Sequence, residues 1–176
     1  IWKESGRYDA VDSTMVKFDD RTGAPCVLGM THEEAVVHMV RGDVTSYKQL
    51  PLMLYQVQTK FRDEPRSRGG LIRVREFTMK DAYSFHASQD CLENYYKQCY
   101  KAYERIYARC GLTNVISVES DTGMMGGSVA HEFMYLNECG EDTLILGENS
   151  DYKANKEVAL TRYEYPEEEI KELEEI

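Results

Sequence analysis

The chain has 176 residues, of which 42% are hydrophobic and 11% aromatic, so it can bury one core and one domain is the default expectation. Its formal net charge of −10 argues against binding nucleic acid or anionic membranes through overall charge, so any anion site must be local. No apolar run approaches the roughly 20 residues that span a bilayer, and no signal-peptide pattern opens the sequence, so we expect no membrane partner.

The first elements in chain order are a short strand in "PCVLGM" and a helix in "THEEAVVHMVRG". Thr31 is the candidate N-cap of this helix, and Glu34 three residues later completes a capping box. Valines at positions 36, 37 and 40 form an apolar stripe along it. His32 and His38 do not suggest a metal site, because their spacing of six points the two rings apart on a helix.

Two alternating segments follow, separated by the turn-rich "DEPRSRGG". Residues 53–61 alternate between Tyr55, Val57, Thr59 and Phe61 on one face and polar side chains on the other, which predicts a half-buried strand. Residues 71–77, "LIRVREF", alternate again. Two such runs around a loop that contains proline and glycine predict an antiparallel hairpin.

A long helix over residues 88–110 is the most strongly patterned element, with Ser88 as its cap and Gly111 just past its end. "NVISVES", "HEFMYL" and "TLILG" predict three further strands, and the acidic "YPEEEIKELEEI" predicts a helical tail. The class is therefore α+β, a mostly antiparallel sheet flanked by helices. Five cysteines without a C-x-x-C pair indicate reduced thiols in a cytoplasmic protein.

The stretch "FRDEPRSRGGLIRVREF" is unusual in an acidic chain because it holds five arginines. Side chains two apart in a strand share a face. If both strands turn their apolar faces to one side, the other side carries two guanidiniums, a carboxylate and an aromatic ring (Arg62, Arg73, Glu64 and Phe77). These groups suit a nucleotide's phosphates, exocyclic amine and base. The alternative is an exposed hairpin whose arginines pair with neighbouring carboxylates.

Sequence blocks around this hairpin carry a resemblance that favours the nucleotide. "FRDE", an arginine-rich loop and "RVREF" resemble motif 2 of the class II aminoacyl-tRNA synthetases. "LGMTHEEAV", "SYKQLPLMLYQVQTKFRDE", "REFTMKDAYSFH", "DTGMMGGSVAHEF" and "SDYKANKE" follow in the order found in bacterial-type prolyl-tRNA synthetases. The similarity runs from about Trp2 to about Glu157, nearly the whole chain.

For ATP, the resemblance implies that Arg62 contacts the α-phosphate and Arg73 the terminal phosphates, and these two would be the catalytic groups. Glu64 would face the adenine amino group or the motif 2 loop, and Phe77 would stack on adenine. ATP would enter with Mg²⁺ as a substrate complex, with no tightly bound cofactor and no metal site on the protein. Catalysis would come from positioning and charge stabilisation rather than from a general base.

For proline, the resemblance implies binding by Thr31 and Glu33, which occupy the family's T-x-E loop. His86 matches a position that lines the amino-acid pocket, although a buried structural role is equally compatible with the sequence. Ser128, in the loop "GMMGGS", would close on the substrate, and a plain turn is the alternative.

The same resemblance implies that the chain is a piece of a longer enzyme, a homodimer that charges tRNA(Pro). Residues 1–157 would be a partial catalytic domain with motif 2 and the proline pocket, lacking motifs 1 and 3. Residues 158–176 would be an acidic tail where an inserted editing domain begins. We expect the fragment alone to be inactive in tRNA charging. A threonyl or seryl enzyme, or a non-catalytic paralogue that acts as a binding module, are the alternatives.

Overall fold

The computed structural model describes residues 1–11, 13–123 and 126–160, so most of the acidic tail lies outside the described residues. The chain divides into two compact units, Ile1–Ala102 and Tyr103–Ile176. The division of residues 1–157 from 158–176 stays a prediction. Within the described ranges, no helix has both the length and the apolar character needed to cross a bilayer.

The first unit contains two short helices, two hairpins and the start of a long helix. Its elements are α1 (Arg7–Ala10), β1 (Lys17–Asp19), β2 (Pro25–Val27), α2 (Glu33–Asp43), a 3₁₀ turn (Tyr47–Gln49), β3 (Leu52–Phe61), β4 (Glu76–Phe85) and α3 (Gln89–Arg109). The β1–β2 and β3–β4 pairs are both antiparallel. The buried core of this unit includes one cluster of apolar side chains, Trp2, Val11, Met15 and Met30.

The main hairpin is present, but its second strand lies later in the sequence than the alternation predicts. β4 begins at Glu76 rather than Leu71, and it pairs with β3 from Phe61↔Glu76 to Leu52↔Phe85. Gly69 and Gly70 have φ angles of +66° and +64°, a backbone conformation that reverses the chain and that glycine adopts readily. Residues 62–75 therefore form a loop, and "LIRVR" is not part of the strand.

On the face of β3 that we predicted to be buried, Tyr55 and Val57 are exposed, and Thr59 and Phe61 are only half-buried. Tyr55 is 76% exposed and Val57 is 63% exposed, whereas Lys60 is fully buried. The reason lies in the partner strand, because directly paired residues share a face and the pairs include Gln56↔Asp81 and Lys60↔Phe77. Asp81 supplies a charged partner for the polar side chains of β3, so the polar face is the inner one.

The predicted capping box is wrong. Helix α2 is capped at His32 without a side-chain hydrogen bond, and Thr31 instead donates to Glu33. Glu34 is buried, accepting from the Arg7 guanidinium at 2.6 Å and from the Ser5 hydroxyl at 3.0 Å. Arg7 offers the Glu34 carboxylate a full positive charge, which the backbone N–H of a capping box does not, so the carboxylate turns away from the helix start.

The second unit contains the end of α3 and a four-stranded sheet. Its strands are β5 (Val115–Glu119), β6 (His131–Tyr135), β7 (Leu144–Leu146) and β8 (Lys153–Asn155), in the order β6–β5–β8–β7. Only the β5–β8 contact is parallel among these pairings. The rings of Tyr103 and Tyr107 each lie 5.5 Å from that of Phe133, which packs α3 on this sheet. The predicted α+β class, the three strands and the long helix are confirmed.

Candidate active site

A network of polar side chains covers the inner face of the β3–β4 hairpin in the first unit. Asp81 accepts a hydrogen bond from Lys60 Nζ on one carboxylate oxygen at 2.9 Å and from Gln56 Nε2 on the other at 2.8 Å. The Tyr83 hydroxyl donates to the second oxygen as well. Burial raises the pKa of Asp81, but these three hydrogen bonds outweigh burial and hold the pKa below its usual value. The carboxylate is therefore ionised at neutral pH.

Tyr83 joins this network to the segment that precedes α2. The backbone N–H of His32 donates to the Tyr83 hydroxyl at 3.1 Å, and the Thr31 hydroxyl donates to Glu33 Oε2 at 2.5 Å. Burial and the neighbouring Asp81 carboxylate both raise the pKa of Tyr83, so the hydroxyl keeps its proton at neutral pH. The structure thus brings Thr31 and Glu33 together, with Asp81 connected to them through Tyr83.

The His32 ring closes one side of this network. Its Nδ1 lies 2.7 Å from Gln56 Nε2, and its edge packs on the backbone of Gly29. A β-carbon built on Gly29 would lie only 2.4 Å from His32 Nε2. A side chain at position 29 would therefore have to push the His32 ring aside, and this constraint comes from close approach and not from the backbone angle of Gly29.

We predict that Gly29→Ala displaces the His32 ring and breaks its contact with Gln56. Such overpacking costs about 1–3 kcal/mol in a packed region. The expected result is a loss of thermal stability together with a changed chemical shift of the His32 ring protons. Gly42→Ala is the control for adding a methyl group, because a β-carbon there meets nothing within 4 Å, and at this exposed position in α2 alanine should raise stability by up to about 1 kcal/mol. A Gly29→Ala variant as stable as the wild-type chain would contradict the steric role of Gly29.

Arg62 and Phe77, two of the predicted nucleotide-binding residues, lie together. The Arg62 guanidinium carbon is 5.3 Å from the centre of the Phe77 ring, in a cation–π geometry. Arg62 Nε also donates to the carbonyl of Met30 at 3.4 Å, which ties the side chain to the residue before Thr31. Phe77 pairs with Lys60 and shares the inner face of the hairpin with Asp81 and Tyr83.

Glu64 and Arg73 form a second pair, in the loop between the strands. Arg73 Nε lies 3.0 Å from Glu64 Oε2, and Arg75 Nε donates to the Glu64 carbonyl at 2.9 Å. The Arg66 backbone N–H and the Arg73 side chain lower the pKa of Glu64, so it is a carboxylate at neutral pH. The predicted ion pairing of the loop arginines with their own carboxylates therefore occurs at this pair.

His86 and Ser128 are not part of these clusters. The His86 Nδ1 lies 3.1 Å from Cys91 Sγ and its ring packs on Tyr95, at a cleft of about 700 Å³ that is also lined by apolar residues of α2. Thr31 and Glu33 do not line that cleft. Ser128 lies exposed in a loop of the second unit. Binding of proline by either residue stays a prediction.

Sequence reasoning missed four residues of the network: Gln56, Lys60, Asp81 and Tyr83. A signal for the last two was available, because Phe77, Asp81 and Tyr83 are separated by even numbers of residues and so share one face of any strand that contains them. The predicted second strand ended at Phe77, so Asp81 and Tyr83 were not considered as part of the same strand. The cluster can bind a ligand with a cationic group near its carboxylates and an anionic or aromatic part near Arg62 and Phe77.

Comparison with protein families gives a match over residues 16–163 to the tRNA synthetase class II core domain (G, H, P, S and T). The chain is 52% identical to a proline–tRNA ligase of Bacillus cereus (strain AH820) and 51% identical to that of Bacillus cereus (strain B4264). Both matches cover all of this chain and 31% of the relative. The chain thus spans about a third of the length of these curated relatives.

Solved structures give the same fold. A prolyl-tRNA synthetase from Cryptosporidium parvum, in complex with L-proline and AMP, superposes with a TM-score of 0.61 at 18% identity, covering 68% of this chain and 25% of that one. A Giardia lamblia prolyl-tRNA synthetase in complex with prolyl-adenylate gives a TM-score of 0.58 at 25% identity, covering 65% and 24%. A domain of a Cryptosporidium parvum threonyl-tRNA synthetase also gives 0.58 at 25% identity, covering 70% and 30%.

Proposed function

The chain belongs to the class II tRNA synthetase core domain family, and from that premise we propose that it carries the ATP- and proline-binding part of a proline–tRNA ligase. The reaction joins one carboxylate oxygen of proline to the α-phosphorus of ATP, and the bond from that phosphorus to the pyrophosphate oxygen breaks. Prolyl-adenylate and pyrophosphate are the products. ATP arrives as its Mg²⁺ complex, and the parent enzyme then passes the prolyl group to the 3′ end of tRNA(Pro).

One observation carries this proposal: a single face of the hairpin presents the Arg62–Phe77 pair at one end and the Asp81–Tyr83 network at the other. Phe77 and Asp81 are four residues apart, about 13 Å along an extended strand. An aminoacyl-adenylate in extended form covers such a span. Its base and phosphate would lie at Phe77 and Arg62, and its imino cation would lie at Thr31 and Glu33.

In this arrangement the residues act through position and charge. Arg62 stabilises the negative charge that develops at the α-phosphorus, and Phe77 supports the adenine ring. Arg73 holds the terminal phosphates after releasing Glu64, which then accepts from the adenine amino group. Thr31 and Glu33 bind the imino group of proline, and Asp81, whose charge Lys60 balances, connects to their backbone through Tyr83.

The remaining assignments extend this proposal to the parent enzyme. Residues 1–157 form the motif 2 part of its catalytic domain, and residues 158–176 lead towards the segment that is inserted before motif 3. The parent is a cytoplasmic homodimer. The identity of 52% to proline–tRNA ligases over the whole chain favours a prolyl over a threonyl or seryl substrate.

Calorimetry with non-hydrolysable aminoacyl-adenylate analogues tests the proposal on this chain directly. We expect the prolyl analogue to bind more tightly than the threonyl and seryl analogues. Glu33→Gln should weaken it by about 10- to 100-fold, because a charge-assisted hydrogen bond to the imino cation is lost. Glu76→Gln, on the exposed face of β4, is the matched control. Tighter binding of the threonyl or seryl analogue, or no binding of any analogue, would contradict the proposal.

A further inference from the structure

Lys60 is an unusual residue for the place it occupies. Its side chain is 0% exposed, near the end of β3, and its Nζ lies 2.9 Å from Asp81 Oδ1. A buried ammonium loses its hydration, and a buried ion pair is often no more stabilising than an apolar pair of the same volume. A leucine or methionine would fill this position equally well. The positive charge of Lys60 must therefore have a role other than packing.

That reason lies in the direction of the hydrogen bonds beyond Asp81. While Asp81 is ionised it can only accept, so the Tyr83 hydroxyl must donate its proton to Asp81. The Tyr83 oxygen is then left with lone pairs, and one of them accepts the backbone N–H of His32 at 3.1 Å. A protonated Asp81 could itself donate to Tyr83, and this fixed order of donors would be lost.

We propose that Lys60 is a positioning residue: its buried ion pair with Asp81 fixes the Tyr83 hydroxyl and thereby holds the backbone of residues 31–33 in the shape that receives the substrate's cationic end. Lys60 acts through Asp81 and Tyr83 and does not touch the substrate. The inference rests on the proposed function for the binding role of Thr31 and Glu33. The arrangement of Lys60, Asp81, Tyr83 and His32 stands on its own.

The charge on Lys60 makes a prediction about pH. The titratable groups around Asp81 are Lys60 on β3, Tyr83 on β4, and His32 and Glu33 before and at the start of α2. Burial raises the pKa of Asp81, and contacts with Tyr83, Gln56 and Lys60 lower it. Without the lysine charge, burial and two neutral donors remain, so the pKa of Asp81 rises. When the pH falls and Asp81 becomes protonated, Asp81 can itself donate to Tyr83. The Tyr83 hydroxyl then no longer has to donate to Asp81.

The experiment compares Lys60→Met with Lys60→Arg, and uses Lys80→Met on the exposed face of β4 as a matched control. Calorimetry measures the affinity for the prolyl-adenylate analogue between about pH 5.5 and about pH 8, with the wild-type chain as the baseline at each pH. We expect Lys60→Met to bind about tenfold more weakly at neutral pH and weaker still as the pH falls. Lys60→Arg and Lys80→Met should follow the wild-type profile.

A double variant separates positioning from simple packing. Adding Asp81→Asn to Lys60→Met removes the titrating group and leaves a neutral side chain, so the affinity should no longer depend on pH and should stay near the weak value that Lys60→Met reaches at acid pH. The affinity for an ATP analogue should fall less than that for the prolyl analogue in these variants, because Arg62 and Phe77 are retained, although Phe77 is the cross-strand neighbour of Lys60. An affinity loss in Lys60→Met that is equal at every pH, or no loss at all, would overturn the proposal.

A second readout needs no ligand and keeps the inference distinct from the proposed function. Hydrogen exchange of the His32 amide, which donates to Tyr83, should be at least about tenfold faster in Lys60→Met and in Asp81→Asn than in the wild-type chain. Unchanged protection of this amide in folded variants would overturn the positioning role. If the wild-type chain binds no prolyl analogue but the exchange result holds, the proposed function fails and the structural role of Lys60 remains.

Discussion

Replacing Arg62 with alanine will lower proline-dependent ATP–pyrophosphate exchange by the full-length parent enzyme by about 10³-fold. The expected loss follows from the proposed role of Arg62, a preorganised guanidinium that would stabilise the charge developing at the phosphorus in the transition state. In the isolated chain the same change should abolish measurable binding of the prolyl-adenylate analogue. Arg62 also contacts the Phe77 ring and the Met30 carbonyl. Its removal therefore also takes away a contact that holds Phe77, the proposed support of the adenine ring.

Arg66→Ala is the matched control, because Arg66 lies exposed in the same loop. Its backbone N–H, and not its guanidinium, bonds to Glu64, and alanine retains that group. We expect exchange by this variant within about twofold of wild type, since exposed single charges contribute little. Equal losses in Arg62→Ala and Arg66→Ala would show that overall loop charge matters, and would remove the specific role of Arg62.

Replacing Arg7 with methionine will lower the free energy of unfolding of the first unit by about 2–3 kcal/mol. The Glu34 side chain is only 3% exposed, and the Arg7 guanidinium is its charged partner at 2.6 Å. Within the described part of the chain, Glu34 Oε2 has no hydrogen-bond partner at all. Without Arg7, the buried Glu34 carboxylate keeps only the hydrogen bond from the Ser5 hydroxyl. A buried charge that has lost its charged partner is strongly destabilising.

Urea denaturation of Arg7→Met, followed by tryptophan fluorescence, measures this loss, because the single tryptophan, Trp2, lies in the core of the same unit. Arg21→Met is the control, since Arg21 is exposed in the β1–β2 turn. A double variant with Glu34→Met should recover much of the lost stability, because two apolar side chains then replace the pair. A stability loss in Arg21→Met as large as in Arg7→Met would contradict the account.

The sequence predicts best where a structure depends on neighbours along the chain. Helix α3 was expected over residues 88–110 and spans Gln89–Arg109, because one periodicity of 3.6 runs through the whole segment. The strands β5, β6 and β7 follow from short apolar runs between turn residues. Each of these patterns depends on contacts within a few residues.

The errors arise where a partner distant in sequence decides the outcome. Alternation shows that β3 has two faces, but the buried face is decided by Asp81, which lies 21 residues after Lys60. Glu34 does not form the expected capping box, because it bonds instead to Arg7, 27 residues earlier in the chain. Arg62 and Phe77 were correctly predicted to lie on one face, although the second strand begins later in the sequence than we predicted. Local pattern therefore placed Arg62 beside Phe77 but missed Asp81 and Tyr83, which lie on the same face.

The most direct test of the central claim is to map which face of the hairpin meets the ligand. Intermolecular nuclear Overhauser effects between this chain and the prolyl-adenylate analogue should connect the adenine protons to the Phe77 ring and the pyrrolidine protons to Thr31 and Tyr83. Contacts from the analogue to Tyr55 and Val57, on the exposed face, would instead place the ligand on the other side of the sheet and contradict the account.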